Sequence, residues 1–266
     1  MLITRLFLGI QIISFWPVWY WYGLRMLDGS DEPWGVLALA TLLIIVSRKG
    51  INHSLSTQTV VICSLIVAIY ITGYGILPPL FKGILAVTAL AFSISQICYG
   101  RAIQASILGL MLLSLPLIAT LQYYGGFPIR LITAYSSSQI LCFFGYPVQP
   151  QGTLLYWLGE VIAVDAPCAG IKMMWTGLYL NFTLAAWRNL GLLATWLRTS
   201  FTLFSVFIAN IIRATLLFFT ESGLVDAPDI AHQAIGITVF TLVALAVLKI
   251  HAVNFQHHNK EYQPCI

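Results

Sequence analysis

The chain has 266 residues, of which 59% are hydrophobic and 8% are charged. A soluble domain has about 25% charged residues, so this composition excludes a soluble globular protein and makes the lipid bilayer the solvent. The formal net charge is +4 and the basic residues form no stripe, which excludes a nucleic-acid-binding protein.

Apolar segments recur along the whole chain. A helix that spans a membrane needs about 20 mostly apolar residues. By that criterion the sequence predicts an all-α polytopic membrane protein with about eight transmembrane helices, in a single integral membrane domain over 1–266. The predicted spans are 6–26, 34–47, 57–75, 79–99, 103–124, 168–187, 199–219 and 232–250.

One long polar segment, 125–167, lies between the fifth and sixth predicted spans. Its first part, PIRLITAYSSSQILCFFGY, has apolar residues near helical spacing and predicts an amphipathic helix at the membrane interface. Its second part, PVQPQGTLLYWLGEVIAVDAP, combines proline and glycine turn signals with short β-leaning runs. We therefore expect a small cap next to the start of the sixth span.

The distribution of charge predicts the orientation in the membrane. With a cytoplasmic N-terminus, most of the lysines and arginines fall at cytoplasmic ends of spans, as the positive-inside rule requires. These are Arg5, Arg48, Lys49, Arg101, Arg188, Arg198, Lys249 and Lys260, against Arg25, Lys82, Arg130, Lys172 and Arg213 toward the other side. Both termini are then cytoplasmic and the cap is extracytoplasmic.

Arg213 lies inside the predicted seventh span, in FIANIIRATLLFF. An arginine near the middle of a bilayer costs about 3 kcal/mol or more, so its presence points to a function. The alternative is a side chain that snorkels to the interface, about two turns away. Asn210 is three residues earlier on the same helix face and is a supporting candidate that could hold the guanidinium.

Two further candidates open predicted spans. His232, in DIAHQAIGI, is an acid/base candidate because imidazole titrates near neutral pH, although an isolated interfacial histidine is often only tolerated polarity. Cys168 follows Pro167, which suits the first turn of a helix. A thiolate is favoured at a helix N-terminus and beside cations, whereas the alternative for a lone cysteine is a small buried apolar residue. Asp165 is a supporting candidate.

The predicted topology puts Cys168, Arg213 and His232 at the same, outer level of the membrane, although they lie on three helices. A nucleophile, a cation and a base gathered in one place are what thiol catalysis requires. Lys172 either supports the thiolate or snorkels. The chain has five cysteines without metal-type spacing or a disulfide framework, so we predict neither a metal nor a cofactor.

With these residues in view, the chain resembles the exosortase/archaeosortase family of membrane cysteine transpeptidases. The resemblance runs over about 125–240 and rests on an ordered set of blocks: GYPVQPQGTLLYWLGEVIAV, VDAPCAGIKMM, NIIR and AHQAIG. The segment DGSDEPWG resembles the family's first outer loop. The family commonly has Cys-Ser-Gly, whereas Ala169 follows Cys168 here.

The resemblance implies that Cys168 is the nucleophile, Arg213 a stabiliser and His232 the acid/base. It implies substrate proteins with a C-terminal sorting signal, made of a short motif, a transmembrane helix and a basic tail. The enzyme would cleave near the motif through a thioester and transfer the protein to an acceptor, which could be lipid- or glycan-linked, on the outer side of the cytoplasmic membrane of a prokaryote. Membrane lipids are the other expected partners.

Two other functions remain open at this stage. One is a cysteine protease that only hydrolyses its substrate at the membrane interface. The other, from a different class, is a membrane transporter or scaffold. Transporters tend to have internal repeats and paired helices broken by glycine or proline, and the sequence shows neither.

Overall fold

The computed structural model describes residues 2–27, 34–165, 169–226, 228 and 230–253, and within them the chain is mostly helical with one small sheet. The helices are α1 (Leu2–Ser14), α2 (Trp16–Leu27), α3 (Trp34–Lys49), α4 (Thr57–Thr72), α5 (Pro79–Tyr99), α6 (Ala105–Leu113), α7 (Ile118–Phe143), α8 (Ile171–Trp187), α9 (Leu192–Glu221) and α10 (Ala231–Ala252). The strands are β1 (Gln149–Gln151), β2 (Leu154–Trp157) and β3 (Glu160–Ala163).

Three of the described helices, α5, α9 and α10, are each long and apolar enough to cross a membrane. A fourth crossing is reached if α6 and α7 are counted as one bent span. These findings support an all-α membrane protein with a small sheet, but they do not confirm eight crossings. The apolar helix α4 has 16 residues, which is about 24 Å of helix and less than the roughly 30 Å of a bilayer's hydrocarbon core.

The first predicted span, 6–26, is two helices with a break at Phe15. Pro17 lies in the first turn of α2. Because proline has no N–H to donate, it cannot continue the hydrogen bonding of α1, whereas the start of a new helix tolerates it.

The predicted fifth span, 103–124, is also corrected by the structure. α6 ends at Leu113, and α7 begins at Ile118 and runs at 94° to it. Pro116 lies in this elbow and cannot extend α6, because it lacks the N–H that an α-helix needs. The predicted amphipathic helix is therefore present but begins earlier than expected, inside the region assigned to the span.

Close packing fixes the elbow against the bundle. The indole of Trp175, on α8, donates to the carbonyl of Leu113 at 3.3 Å. A Cβ atom at Gly35, on α3, would lie 2.3 Å from the carbonyl oxygen of Ser114, so this position accepts a glycine only. These contacts hold the elbow against α3 and α8, and they thereby fix the direction in which α7 runs.

The three strands form an antiparallel meander in the order β1-β2-β3. The β2–β3 turn has Leu158 and Gly159 at φ values of 48° and 91°, as a two-residue type I′ hairpin turn requires. One face of the sheet packs on α7 and on the last turns of α9. That core consists of Ala134, Leu141, Val148, Leu155, Ile162, Val164 and Phe218. We call this end of the molecule the sheet end.

At the opposite end, arginine side chains hold the C-terminus of α10. Arg188 donates to the carbonyl of His251, and Nη2 of Arg198 donates to the carbonyl of Val253 at 3.3 Å. Nε2 of His251 lies 2.9 Å from Oδ1 of Asn181, on α8. Helix C-terminal carbonyls lack partners within the helix and favour cations, so these contacts stabilise the packing of α8, α9 and α10.

Candidate active site

Arg213, His232 and Glu221 form a chain of polar contacts at the sheet end. Nη2 of Arg213 lies 3.5 Å from Nε2 of His232, and Nδ1 of His232 lies 3.3 Å from Oε1 of Glu221. A carboxylate only accepts hydrogen bonds, so the proton of a neutral His232 ring lies on Nδ1. Nε2 then carries the lone pair, which accepts from the Arg213 guanidinium and is the position that a general base would protonate.

Two helices supply this chain. Arg213 and Glu221 are about two turns apart on α9, and His232 lies in the first turn of α10. The guanidinium packs over Gly236, one turn further along α10, where a Cβ atom would lie 3.5 Å from Nε. Among the described residues, Nε of Arg213 is buried without a hydrogen-bond partner. Part of the hydrogen-bonding capacity of the guanidinium is therefore unused within the described part of the protein.

A cavity of about 280 Å³ lies between the sheet and the ends of α9 and α10. We call it the sheet-side cavity. Five consecutive residues, 161–165, form one wall, and Glu221 and His232 lie across from them. Its remaining lining is Leu155, Ala214, Leu217 and Phe218. Asp165 thus shares a cavity with His232, as expected for a residue close to the site.

A second cavity, of about 460 Å³, lies beside α8 and α10, and we call it the helix-side cavity. Its lining is mostly apolar, with polar groups at one end. It is lined by Trp34, Lys172, Met173, Thr176, Arg213, His232, Gln233, Gly236, Ile237 and Phe240. Lys172 therefore lies in the same cavity as Arg213, although it is exposed.

His232 lines both cavities. Its side chain is 44% exposed and that of Glu221 is 52% exposed. An imidazole in this position can exchange a proton with a group in either cavity. This arrangement suits a reaction in which a leaving group and an incoming group approach one centre from different sides.

The described hydrogen bond of Asn210 leads to α7. Its amide Nδ2 donates to Oγ1 of Thr133, on α7, at 3.3 Å, whereas the described contact of Arg213 is with His232. Asn210 is buried and also packs against Gly170, where a Cβ atom would lie 2.7 Å from its Cγ. The Asn210 side chain therefore packs between the start of α8 and α7, and it connects both to α9.

Cys168 and Pro167 lie outside the described residues. The sixth predicted span begins later than expected, because α8 starts at Ile171 with Gly170 as its N-cap in the left-handed conformation, at φ 74°. The described helix thus starts three residues after the predicted position 168. Before Cys168, Asp165 lines the sheet-side cavity. After it, Gly170 contacts Asn210, which is one turn from Arg213 on α9.

The sequence did not single out Glu221 as a site residue. Its spacing from Arg213 was a usable signal, because residues seven or eight apart share a helix face. An acid at the end of a helix is, however, ordinary in a polar loop region, and nothing in the sequence related Glu221 to a histidine on the next helix. Only the turn between α9 and α10 brings the two side chains together.

The comparison with protein families gives one match. The model of the transmembrane exosortase family matches residues 6–249, which include the whole cap, both cavities and the three candidate residues. The chain belongs to the transmembrane exosortase family. This is a family of cysteine-type peptidases and transpeptidases. No curated protein and no solved structure matches the chain at a significant level.

We predict that Glu221→Gln lowers the turnover of a sorting-signal substrate about twofold to fivefold, because a partly exposed charged pair contributes up to about 1 kcal/mol. Glu221→Ala should lower it further, since no side-chain acceptor then orients the His232 ring. The measurement is kcat with purified variants. Asp226→Asn, an exposed acid at the same end, is the control. Full activity of Glu221→Ala would show that the carboxylate does not orient the ring.

Proposed function

We propose that this exosortase is a membrane cysteine transpeptidase that cleaves the C-terminal sorting signal of surface-destined proteins through a thioester on Cys168. The observation that carries the proposal is the 3.5 Å contact between Arg213 and His232. It joins the expected stabiliser and the expected acid/base across two helices, beside the chain that leads into and out of Cys168.

In the proposed reaction, the Cys168 thiolate attacks the scissile carbonyl carbon and forms a tetrahedral intermediate. Arg213 stabilises negative charge, either on the thiolate or on the oxyanion. Protonated His232 gives its proton to the leaving amine as the C–N bond breaks, which leaves a thioester. The neutral ring then takes a proton from the acceptor nucleophile, which attacks the thioester and releases the Cys168 thiolate.

The two cavities support a path for the substrate. A sorting signal consists of a motif followed by an apolar helix, so its two parts need different surroundings. The apolar lining of the helix-side cavity, with Met173, Ile237 and Phe240, suits the start of the substrate helix. The sheet-side cavity, with polar backbone and carboxylates, suits the motif. A peptide that passes from one cavity to the other passes His232.

We further propose the predicted topology of eight crossings, with cytoplasmic termini and an extracytoplasmic site in the inner membrane of a prokaryote. The charge distribution supports this orientation. Arg188 and Arg198 lie at the end opposite Glu221 and His232, and that end would be cytoplasmic. The helices that are short for a full crossing would then need a locally thinner bilayer.

Hydrolysis without transfer is the second candidate, and the exposure of His232 favours it, because water can reach a side chain that is 44% exposed. Mass spectrometry of the released substrate decides between the two, since hydrolysis leaves a free C-terminal carboxylate and transfer leaves an attached lipid- or glycan-linked acceptor. One feature of the structure is also found in transporters, namely the broken α6–α7 pair. The described residues contain a single such pair, whereas transporters use them in twos.

We predict that Cys168→Ala abolishes processing of a co-expressed protein from the same genome that carries a sorting signal, because the thioester cannot form. A variant that retains Cys168 and has alanine at Cys63, Cys98, Cys142 and Cys265 should process it normally. The readout is the mass of the substrate on a gel or by mass spectrometry. Processing by the Cys168→Ala protein would mean that another group is the nucleophile.

We predict that Arg213→Ala is nearly inactive and that Arg213→Lys loses a factor on the order of 10² to 10³ in kcat, as removal of one oxyanion donor does. Lysine keeps the charge but lacks the planar fork of donors. Arg130→Lys, at a half-buried arginine of α7 that donates to the carbonyl of Gly126, is the matched control. If Arg213→Lys keeps most activity, the side chain acts as a point charge.

We predict that cysteines introduced at Pro150 and Asp226 react with a membrane-impermeant thiol reagent in intact cells, whereas cysteines at Gly50 and His258 react only after lysis. The reason is that the first two positions lie on the proposed extracytoplasmic side. All four are made in a background without other reactive cysteines. The opposite labelling pattern would reverse the orientation and move the proposed site to the cytoplasm.

A further inference from the structure

Strand β3 forms one edge of the sheet. It pairs with β2 alone among the described residues, in the antiparallel register Leu155↔Ile162 and Tyr156↔Val161. Val161, Ile162 and Ala163 of this strand line the sheet-side cavity. An edge strand presents unpaired backbone N–H and C=O groups, which form a template for another strand.

The register identifies the open backbone groups. The N–H of Val164 donates to the carbonyl of Thr153 at 2.9 Å, so Val164 points its backbone groups toward β2. Because these directions alternate along an antiparallel strand, Ile162 also points toward β2, whereas Val161 and Ala163 point away from it. The N–H and C=O groups of Val161 and Ala163 therefore lie on the open edge.

The opposite edge of the same sheet is blocked. Pro150 is the middle residue of β1 and pairs with Leu155. Since Leu155 turns its backbone groups toward β3, Pro150 turns its own away from β2, to the outer edge of β1. Proline has no N–H to offer there, and prolines protect edge strands from pairing with other chains. The sheet thus has one protected edge and one open edge.

The open edge is the one that lies at the candidate active site. Across the sheet-side cavity from β3 are His232 and Glu221. Along the chain, Cys168 is five positions after Ala163. A peptide paired with β3 would therefore extend toward the residues that the proposed reaction uses, and its side chains would alternate between the cavity and solvent.

We propose that the open edge of β3 is the docking site for the extended segment of the substrate that precedes its apolar helix, which binds as a fourth strand. This inference rests on the proposed function and deepens it by naming how the substrate is held. The backbone groups of Val161 and Ala163, about 6.8 Å apart, offer up to four hydrogen bonds. Main-chain bonds of this kind supply affinity, and pockets for alternate side chains supply specificity.

Disulfide cross-linking tests the proposal directly. Ala163→Cys is combined with Cys168→Ala, so that bound substrate is not cleaved. The chain is full-length, and its other native cysteines are replaced so that position 163 carries the only thiol. The probe is the co-expressed sorting-signal protein, with single cysteines placed in turn through the eight residues before its apolar helix. We expect cross-links at alternate positions, because successive residues of an added strand point to opposite faces.

A proline substitution supplies the second measurement. Ala163→Pro removes an N–H on the open edge without removing one from the β2–β3 ladder, so KM should rise at least tenfold while kcat changes less. Pro150→Ala, on the blocked edge, is the control and should leave KM unchanged. Alkylation of Cys168 at the normal rate shows that the Ala163→Pro site is folded, and the cross-linking pattern does not depend on that variant.

The outcomes separate this proposal from the proposed function. Alternating cross-links support the open edge even if the native chain leaves the probe uncleaved, a result that would count against the transpeptidase. The docking site alone is overturned if the substrate is cleaved in a Cys168-dependent manner but the cross-links are uniform or absent. The same conclusion follows if the folded Ala163→Pro protein has an unchanged KM. The docking site is also overturned if Ala163→Cys cross-links two copies of this protein and added substrate does not prevent it. The open edge would then be an interface between two copies.

Discussion

A guanidinium inside an apolar helix must have polar partners, and the sheet end of this molecule is arranged around that requirement. A buried charge is stabilised by polar contacts, and the described polar contact of Arg213 is with His232, in the first turn of α10. This fixes which residues of α9 and α10 face each other. It also fixes the place of Glu221, because the last turn of α9 then lies beside the first turn of α10.

The sheet completes the site because it packs on the same helix ends. Trp157 packs against Phe218, near the end of α9, with their ring centroids 5.7 Å apart, and the buried face of β3 continues this core through Ile162. The cavity between β3 and His232 is thus set by apolar packing rather than by flexible loops. Positioning by packed elements is what keeps catalytic groups within the small tolerances that reactions need.

Much of the architecture follows from hydropathy. The predicted span 79–99 coincides with α5, and the short β-leaning runs became the meander, whose two turns contain Gly152 and Gly159 at positive φ. The elbow at Pro116 was missed because the residues around it are as apolar as a span, so composition concealed the bend. The sixth span was predicted to start at 168, because Pro167 suits the first turn of a helix, whereas α8 starts at Ile171 with Gly170 as its N-cap in the left-handed conformation. The contact of Asn210 with Thr133 joins residues 77 positions apart, which single-helix spacing cannot reveal.

The contacts at the far end of α10 have a mechanical consequence. Arg188 and Arg198 donate to its last carbonyls, and Arg213 contacts its first turn. Neighbouring residues therefore contact α10 at two points that are about 28 Å apart along its axis. Sliding or rotating this helix would break polar contacts at both ends in a solvent that cannot replace them. We therefore expect the imidazole to act as a fixed reference in the catalytic cycle. Any opening of the site for substrate would then have to come from elements other than α10.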